Sequence, residues 1–210
     1  MDAKHNQPLL PPRQRALKRA FDLIVGSLLL IGGIPLLVLC ALAIRLDSPG
    51  PAFYRAMRLG EGRRLFRMIK LRTMIAEADR TEAQLILTHG QTLKFDKHAA
   101  DPRVTRVGRF LRKWSLDELP QLLNVLHGEM SLVGPRPELP ALEAHYSTVQ
   151  RQRFEVPQGM TGWWQVNGRP QDIERKVELD LYYVHHYSLG LDLRILIRTI
   201  GTVVTRHGSI

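Results

Sequence analysis

At 210 residues the chain has room for one domain with a hydrophobic core plus a membrane segment, and not for two ordinary domains. Its composition, 44% hydrophobic and 24% charged, is that of a folded protein. A formal net charge of +10, from 30 Lys and Arg against 20 Asp and Glu, calls for an anionic partner but does not choose among nucleic acid, lipid headgroups and phosphorylated substrates.

Residues 1–20 begin as a polar, proline-containing tail and become basic and helix-compatible towards Arg19. From Leu23 to Ile44 there is no charged residue, a run of 22 positions between Asp22 and Arg45. About 20 helical residues cross the ~30 Å hydrocarbon core, so the run has span length. It begins late and lacks a small-x-small cleavage site, which argues against a cleaved signal peptide. Gly32, Gly33 and Pro35 interrupt it, and a proline here frees the carbonyl of Ile31 and kinks the helix. Both flanks are basic, with Arg13, Arg15, Lys18 and Arg19 before the run and Arg45, Arg55, Arg58, Arg63 and Arg64 after it. The positive-inside bias then favours both ends on the cytoplasmic side. A re-entrant helical hairpin bent at Pro35 satisfies both observations; a kinked single span is the alternative. Cys40, the single cysteine, lies inside the run, rules out an intrachain disulfide and reads as packing in a reducing compartment.

Asp47-Ser48-Pro49-Gly50-Pro51 is a dense turn signal and marks the membrane exit. Beyond it, Leu65 to Lys70 alternates well enough for a short strand or extended segment, and strand content is read as minor. Residues 74–89 read as a helix and 98–102 as a loop. Leu116, Leu119, Leu122, Leu123 and Leu126 define one apolar face of a helix that ends near Gly128. Residues 139–154 read as a further helix, 157–170 as a loop and 172–186 as a helix. Near the C-terminus Leu193, Ile197, Ile200 and Val204 recur at helical spacing, with Arg194 and Arg198 on another face. That pattern suits a membrane interface or the cover of a soluble core equally well.

Chemistry concentrates at Ser115-Leu116-Asp117-Glu118. One reading is structural: S-x-x-E before an apolar helix is a capping box. Pro120 complicates it, because a helix capped by Ser115 would lose the Pro120 bond to Leu116, whereas one starting at Asp117 misses no donor. The other reading is chemical: two adjacent carboxylates at a helix N-terminus, one to attack phosphorus and its neighbour to hold a divalent cation. Arg109, Arg112 and Lys113 before the pair, and Arg136 in the rigid Gly134-Pro135-Arg136-Pro137 turn after it, are candidate phosphate binders. Lys70 and Arg72 are weaker candidates. Gly162 to Arg169 brings Trp163, Trp164, Gln165, Asn167 and Arg169 between glycines, a loop able to stack and hydrogen-bond a nucleobase or sugar, or to turn tryptophans to a membrane interface. The eight histidines show no zinc-ligand spacing, and without a Walker loop or G-x-G-x-x-G the ATPase and nucleotide-dependent dehydrogenase readings lack support.

Taken together the chain resembles the monotopic phosphoglycosyl transferases of the bacterial sugar transferase family. The resemblance rests on an ordered set spread over roughly residues 15 to 205: Lys18-Arg19-Ala20-Phe21-Asp22, Ser48-Pro49-Gly50-Pro51, Lys70-Leu71-Arg72-Thr73-Met74, Asp101-Pro102-Arg103-Val104-Thr105, Leu116 to Val125, Gly128 to Pro137, Thr161-Gly162-Trp163 and Gln165 to Arg169. It implies transfer of a sugar phosphate from a UDP-sugar to a polyprenyl phosphate with release of UMP, the first membrane step of glycoconjugate assembly. Asp117 would be the nucleophile that forms a covalent phosphosugar intermediate, and Asp117 and Glu118 would engage Mg2+. Lys70, Arg72, Arg112, Arg136, Gln165, Asn167 and Arg169 would bind substrate. The family's re-entrant helix breaks at a Ser-Pro pair, and Pro35 matches the proline while Ile34 replaces the serine. A second departure is Val156-Pro157-Gln158-Gly159, where the family usually has proline directly before the glycine.

The expected architecture is therefore a mostly helical α+β monotopic protein. Residues 1–50 form the tail and re-entrant helix-break-helix. Residues 51–210 form a compact catalytic unit, with amphipathic interfacial helices, on the cytoplasmic face of a bacterial inner membrane. The implied partners are the UDP-sugar, polyprenyl phosphate and membrane lipids, with no nucleic acid, and a homodimer is allowed. The competing readings are a single-span anchored basic adaptor that binds anionic lipid or nucleic acid, and a nucleotide-sugar hydrolase without a lipid acceptor.

Overall fold

The structure, a computed structural model, describes residues 10–75, 101, 103–170 and 172–204. Its first element, α1 (Pro12–Asp47), starts where a proline costs no hydrogen bond and stops where Ser48 turns extended, ahead of the Pro49-Gly50-Pro51 cluster. Pro35 lies inside this one helical element. Only 11% of the most apolar stretch is buried within the molecule, and Ile24, Leu28, Ile31, Val38, Leu39 and Leu42 are exposed. A soluble core helix would bury those side chains. One long apolar helix with this exposure suits a membrane anchor.

Burial along α1 is confined to its two ends. Towards the N-terminus, Lys18, Asp22 and Gly26 are buried; towards the C-terminus, Cys40 and Ile44. Lys18 donates from Nζ to the Val133 carbonyl at 2.8 Å and pairs with Asp192 at 2.8 Å. Asp22 accepts from the Ser131 hydroxyl and the Leu132 amide, both at 3.0 Å. At the other end Cys40 and Ile44 pack with Ala52, Leu71 and Leu111. Around Gly32 and Gly33 there is open space.

Strands β1 (Phe53–Leu59) and β2 (Leu65–Leu71) form an antiparallel hairpin with Phe53 opposite Leu71 and Leu59 opposite Leu65. Ala56, Phe66 and Met68 point from it into the core. Sequence reading found β2 and missed β1, whose apolar and basic residues do not alternate cleanly. Of the helix expected over 74–89, Met74 instead bridges Val104 as extended chain, and 76–89 lie outside the described residues, as do 98–100 and Pro102 of the expected loop.

Next come α2 (Arg106–Lys113), one 3-10 turn (Leu116–Glu118), α3 (Gln121–His127) and β3 (Ser131–Val133). The single helix expected from Leu116 to Leu126 is thus split, and Pro120, at the N-cap of α3, is the reason: it cannot donate into a preceding turn. The helix expected over 139–154 is likewise two 3-10 segments, Pro140–His145 and Gln150–Phe154, separated at Tyr146 by extended backbone. Strand β4 (Gly159–Thr161) runs parallel to β3, and short α4 (Trp163–Val166) follows, so the expected 157–170 loop carries both. Helix α5 (Ile173–His185) is capped by Asp172, which accepts from the Arg175 amide. In α6 (Leu189–Val204), Leu191 and Ile195 enter the core, while Leu193, Ile197 and Ile200 are exposed beside exposed Arg194 and Arg198. The expectation of a mostly helical α+β protein matches this architecture.

Candidate active site

Close backbone packing builds the site. Thr105 caps α2 by accepting from the Gly108 amide at 2.9 Å, and its own amide donates to the Thr73 carbonyl at 3.1 Å. A Cβ at Gly108 would collide with that carbonyl, so glycine alone lets α2 lie against Thr73. One turn on, Arg112 donates from Nε to Thr73 Oγ1 at 2.9 Å. Ser115 then adopts the left-handed conformation, with φ of 54°, and reverses the chain. Its side chain makes no capping bond, so the capping-box reading does not hold, and Asp117 is no cap either, because Pro120 occupies that position of α3. Leu116 anchors the turn against the cluster of Cys40, Ile44, Leu71 and Leu111.

The turn leaves Asp117 and Glu118 partly buried among cations. Glu118 Oε1 accepts from Arg136 Nη2 at 2.5 Å and from Lys70 Nζ at 3.4 Å. Burial and then the neighbouring Glu118 charge raise the Asp117 pKa, opposed by Lys70, Arg136 and Arg112. Burial lowers the pKa of Lys70 and of Arg112, against the pull of Glu118 on the first and Asp117 on the second. The Glu118 charge raises that of Arg136. Burial also lowers that of Arg169, against the pull of the Glu118 charge and with the push of Arg136. Four cations thus face two carboxylates, a surplus that suits a diphosphate.

Arg136 is aimed by a crossing of two loops. Gly134 donates to the Thr161 carbonyl at 2.9 Å and Gly159 to the Pro135 carbonyl at 2.8 Å. A Cβ on Gly134 would strike the Pro157 carbonyl and the Gly159 amide. Fully buried Gln158 donates from Nε2 to the carbonyls of Arg153 and Val156, both at 2.9 Å. The residue that departs from the family pattern thus ties its own loop.

Lys70, Arg112, Arg136 and Arg169 therefore stand with Asp117 and Glu118, whereas three predicted binders are engaged elsewhere. Arg72 gives its guanidinium to the carbonyls of Ser48, at 2.8 Å, and Pro49, bracing the turn after α1. Gln165 donates to the Met160 carbonyl at 3.1 Å, and its own carbonyl accepts from Arg169 Nε at 3.3 Å. Asn167 donates to the Trp163 carbonyl at 2.7 Å and accepts from Arg198 at 3.2 Å. Gln165 and Asn167 shape the loop that carries Arg169.

The family model described as bacterial sugar transferase matches residues 13–206. The chain belongs to the bacterial sugar transferase family. Its relatives include an undecaprenyl-phosphate glucose phosphotransferase of Komagataeibacter xylinus, 44% identical over 87% of this chain and 35% of the relative. A UDP-glucose:undecaprenyl-phosphate glucose-1-phosphate transferase of Caulobacter vibrioides is 41% identical over 91% of this chain and 71% of the relative. An undecaprenyl-phosphate galactose phosphotransferase of Salmonella typhimurium is 40% identical over 93% of this chain and 42% of the relative. The chain thus spans less than half the length of two of these three sugar transferases.

Sequence reading missed the buried charged groups that meet the Arg136 backbone through Arg153. Arg153, Asp180, Glu138 and Lys176 are charged residues scattered over three segments, with no local motif to join them.

Proposed function

We propose that the chain transfers a sugar phosphate from a UDP-sugar to a polyprenyl phosphate and releases UMP. The observation that carries this reading is the Asp117–Glu118 pair, held in a 3-10 turn among four cations while Leu116 packs against the apolar, largely exposed α1. A water-soluble diphosphate donor and a lipid phosphate acceptor are the substrates such a junction suits. The names of the relatives supply the same pair, a UDP-sugar in one and undecaprenyl phosphate in all three.

In this reading Asp117 is the nucleophile. Its carboxylate oxygen bonds to the β-phosphorus as the bond from that phosphorus to the bridging oxygen breaks, and UMP leaves with the electron pair. A phosphate oxygen of the polyprenyl acceptor then attacks the same phosphorus, the Asp117–phosphorus bond breaks, and the carboxylate is regenerated. Lys70, Arg112, Arg136 and Arg169 orient the diphosphate and oppose the charge that develops on it. Arg136 also holds Glu118 beside the nucleophile.

Asp117 and Glu118 would hold magnesium, since hard carboxylate oxygens, one or two at a time, are its ordinary protein ligands. No group of three His, Cys, Asp or Glu suited to a closed metal site occurs among the described residues. When bound, magnesium supplies charge neutralisation on the diphosphate.

The reading includes a re-entrant α1 that enters and leaves on the cytoplasmic face of a bacterial inner membrane. It is supported by the burial of α1 at both ends against the same unit, by its open middle at Gly32 and Gly33, and by basic residues on both flanks. The exposed Leu193, Ile197 and Ile200 of α6, beside Arg194 and Arg198, suit the interface.

The test is product analysis of the full chain with magnesium, a panel of UDP-sugars, and polyprenyl phosphate present or withheld. Sustained UMP release together with a polyprenyl-diphosphate sugar is expected only with the lipid. Sustained release without it would mark a hydrolase, and no UMP from any sugar would reject the reading.

A further inference from the structure

The guanidinium of Arg153 is wholly buried, 0% exposed, and all three of its nitrogens are engaged. Nε and Nη2 donate to Asp180 Oδ2 at 3.1 and 2.7 Å. Nη1 donates to Glu138 Oε2 at 3.0 Å and to the Tyr146 hydroxyl at 3.3 Å. The remaining bond of Nη2 goes to the backbone carbonyl of Arg136 at 3.0 Å. The rings of Tyr146 and Phe154 lie 5.5 and 5.3 Å from the guanidinium carbon, and Lys176 closes the set on Glu138 at 2.8 Å.

The Arg136 contact matters because of its neighbours. In Pro135-Arg136-Pro137 two of the three residues have no N–H, so the turn can be held chiefly through its carbonyls. Gly159 takes that of Pro135 and Arg153 takes that of Arg136. The side chain thereby fixed is the one that pairs with Glu118. Burial favours a neutral Glu138, but Lys176 and Arg153 outweigh it and hold the carboxyl at about 2, so it stays an anion at neutral pH. A buried ionic cluster is poor value for stability alone, since apolar residues of similar volume often do as well or better. Its distinctive product is a fixed orientation.

We propose that Arg153, clamped by Asp180 and Glu138, is a positioning residue: through the Arg136 backbone it sets the Arg136–Glu118 pair beside the nucleophile. This rests on the transfer reading above.

The test is a double-mutant cycle in the full chain between Asp180→Asn and Arg136→Lys. It is read both in kcat for UMP release and in the Kd for inorganic pyrophosphate, which needs no turnover. Asp180→Asn alone is expected to lower kcat ~10–100-fold with KM for the lipid little changed. In the Arg136→Lys background the same change is expected to cost under ~3-fold, in kcat and Kd alike. Equal losses in both backgrounds would overturn the proposal. Should Asp180→Asn fail to fold, Tyr146→Phe, which deletes one hydroxyl from the cluster, takes its place under the same criterion. A parent that binds pyrophosphate but releases no UMP would reject the transfer reading, and the cycle in Kd would still decide the coupling.

Discussion

Arg136 donates to Glu118 at 2.5 Å across 18 residues of chain, and the two side chains are about equally shielded from solvent. Removing either takes from the other its closest ionic contact, leaving Glu118 with Lys70 at 3.4 Å. Glu118→Gln is expected to lower kcat by on the order of 10²–10³, since the arginine loses its orientation along with its partner. Steady-state kinetics at saturating donor and acceptor checks this.

The fold disfavours the charged form of Asp117. Burial raises its folded pKa above the ordinary carboxylate value, so what stability it contributes is present at low pH and lost as pH rises through the folded pKa. At neutral pH, Asp117→Asn is expected to raise Tm while kcat falls on the order of 10⁴-fold or more. Melting curves at pH 7 and in acid check the sign: the stabilisation should shrink as the medium is acidified.

Gly134→Ala places a methyl group against the Pro157 carbonyl and the Gly159 amide. A destabilisation of about 1–3 kcal/mol is expected from overpacking. The loss of kcat should exceed what the unfolded fraction explains, because the Arg136 turn moves with Gly134. Denaturant titration beside kinetics separates the two.

The anchor is tested without chemistry. Leu28, exposed near the middle of α1, is expected to tolerate Ile but not Arg, whose insertion costs about 3 kcal/mol at membrane depth and should shift protein from the membrane to the soluble fraction. For a re-entrant α1, reporter groups at positions 15 and 55 should both be reached by a membrane-impermeant reagent from the cytoplasmic side. Labelling from opposite sides would mean a single span.

What the sequence made legible follows from range. The uncharged run to Ile44 states its own length and apolarity, and α5 announces itself through the Asp172 cap. Asp117 and Glu118 were legible as a pair, though their setting was not: Pro120 converts a continuous leucine face into a 3-10 turn and a separate helix. Arg72 carries the same charge as Lys70 two positions away, yet one braces a turn and the other meets Glu118. Arg153 and Asp180 lie 27 residues apart, and no periodicity links a guanidinium to a carboxylate that only the folded chain brings together.

The most direct measurement is the intact mass of the full chain after incubation with magnesium and each of a panel of UDP-sugars in the absence of polyprenyl phosphate. With the sugar that supports UMP release, protein heavier by one sugar phosphate is expected, with the adduct on the peptide containing Asp117, discharged when polyprenyl phosphate is added and absent from Asp117→Asn. An adduct on another residue, or polyprenyl-diphosphate sugar formed by Asp117→Asn at the parental rate, would contradict it.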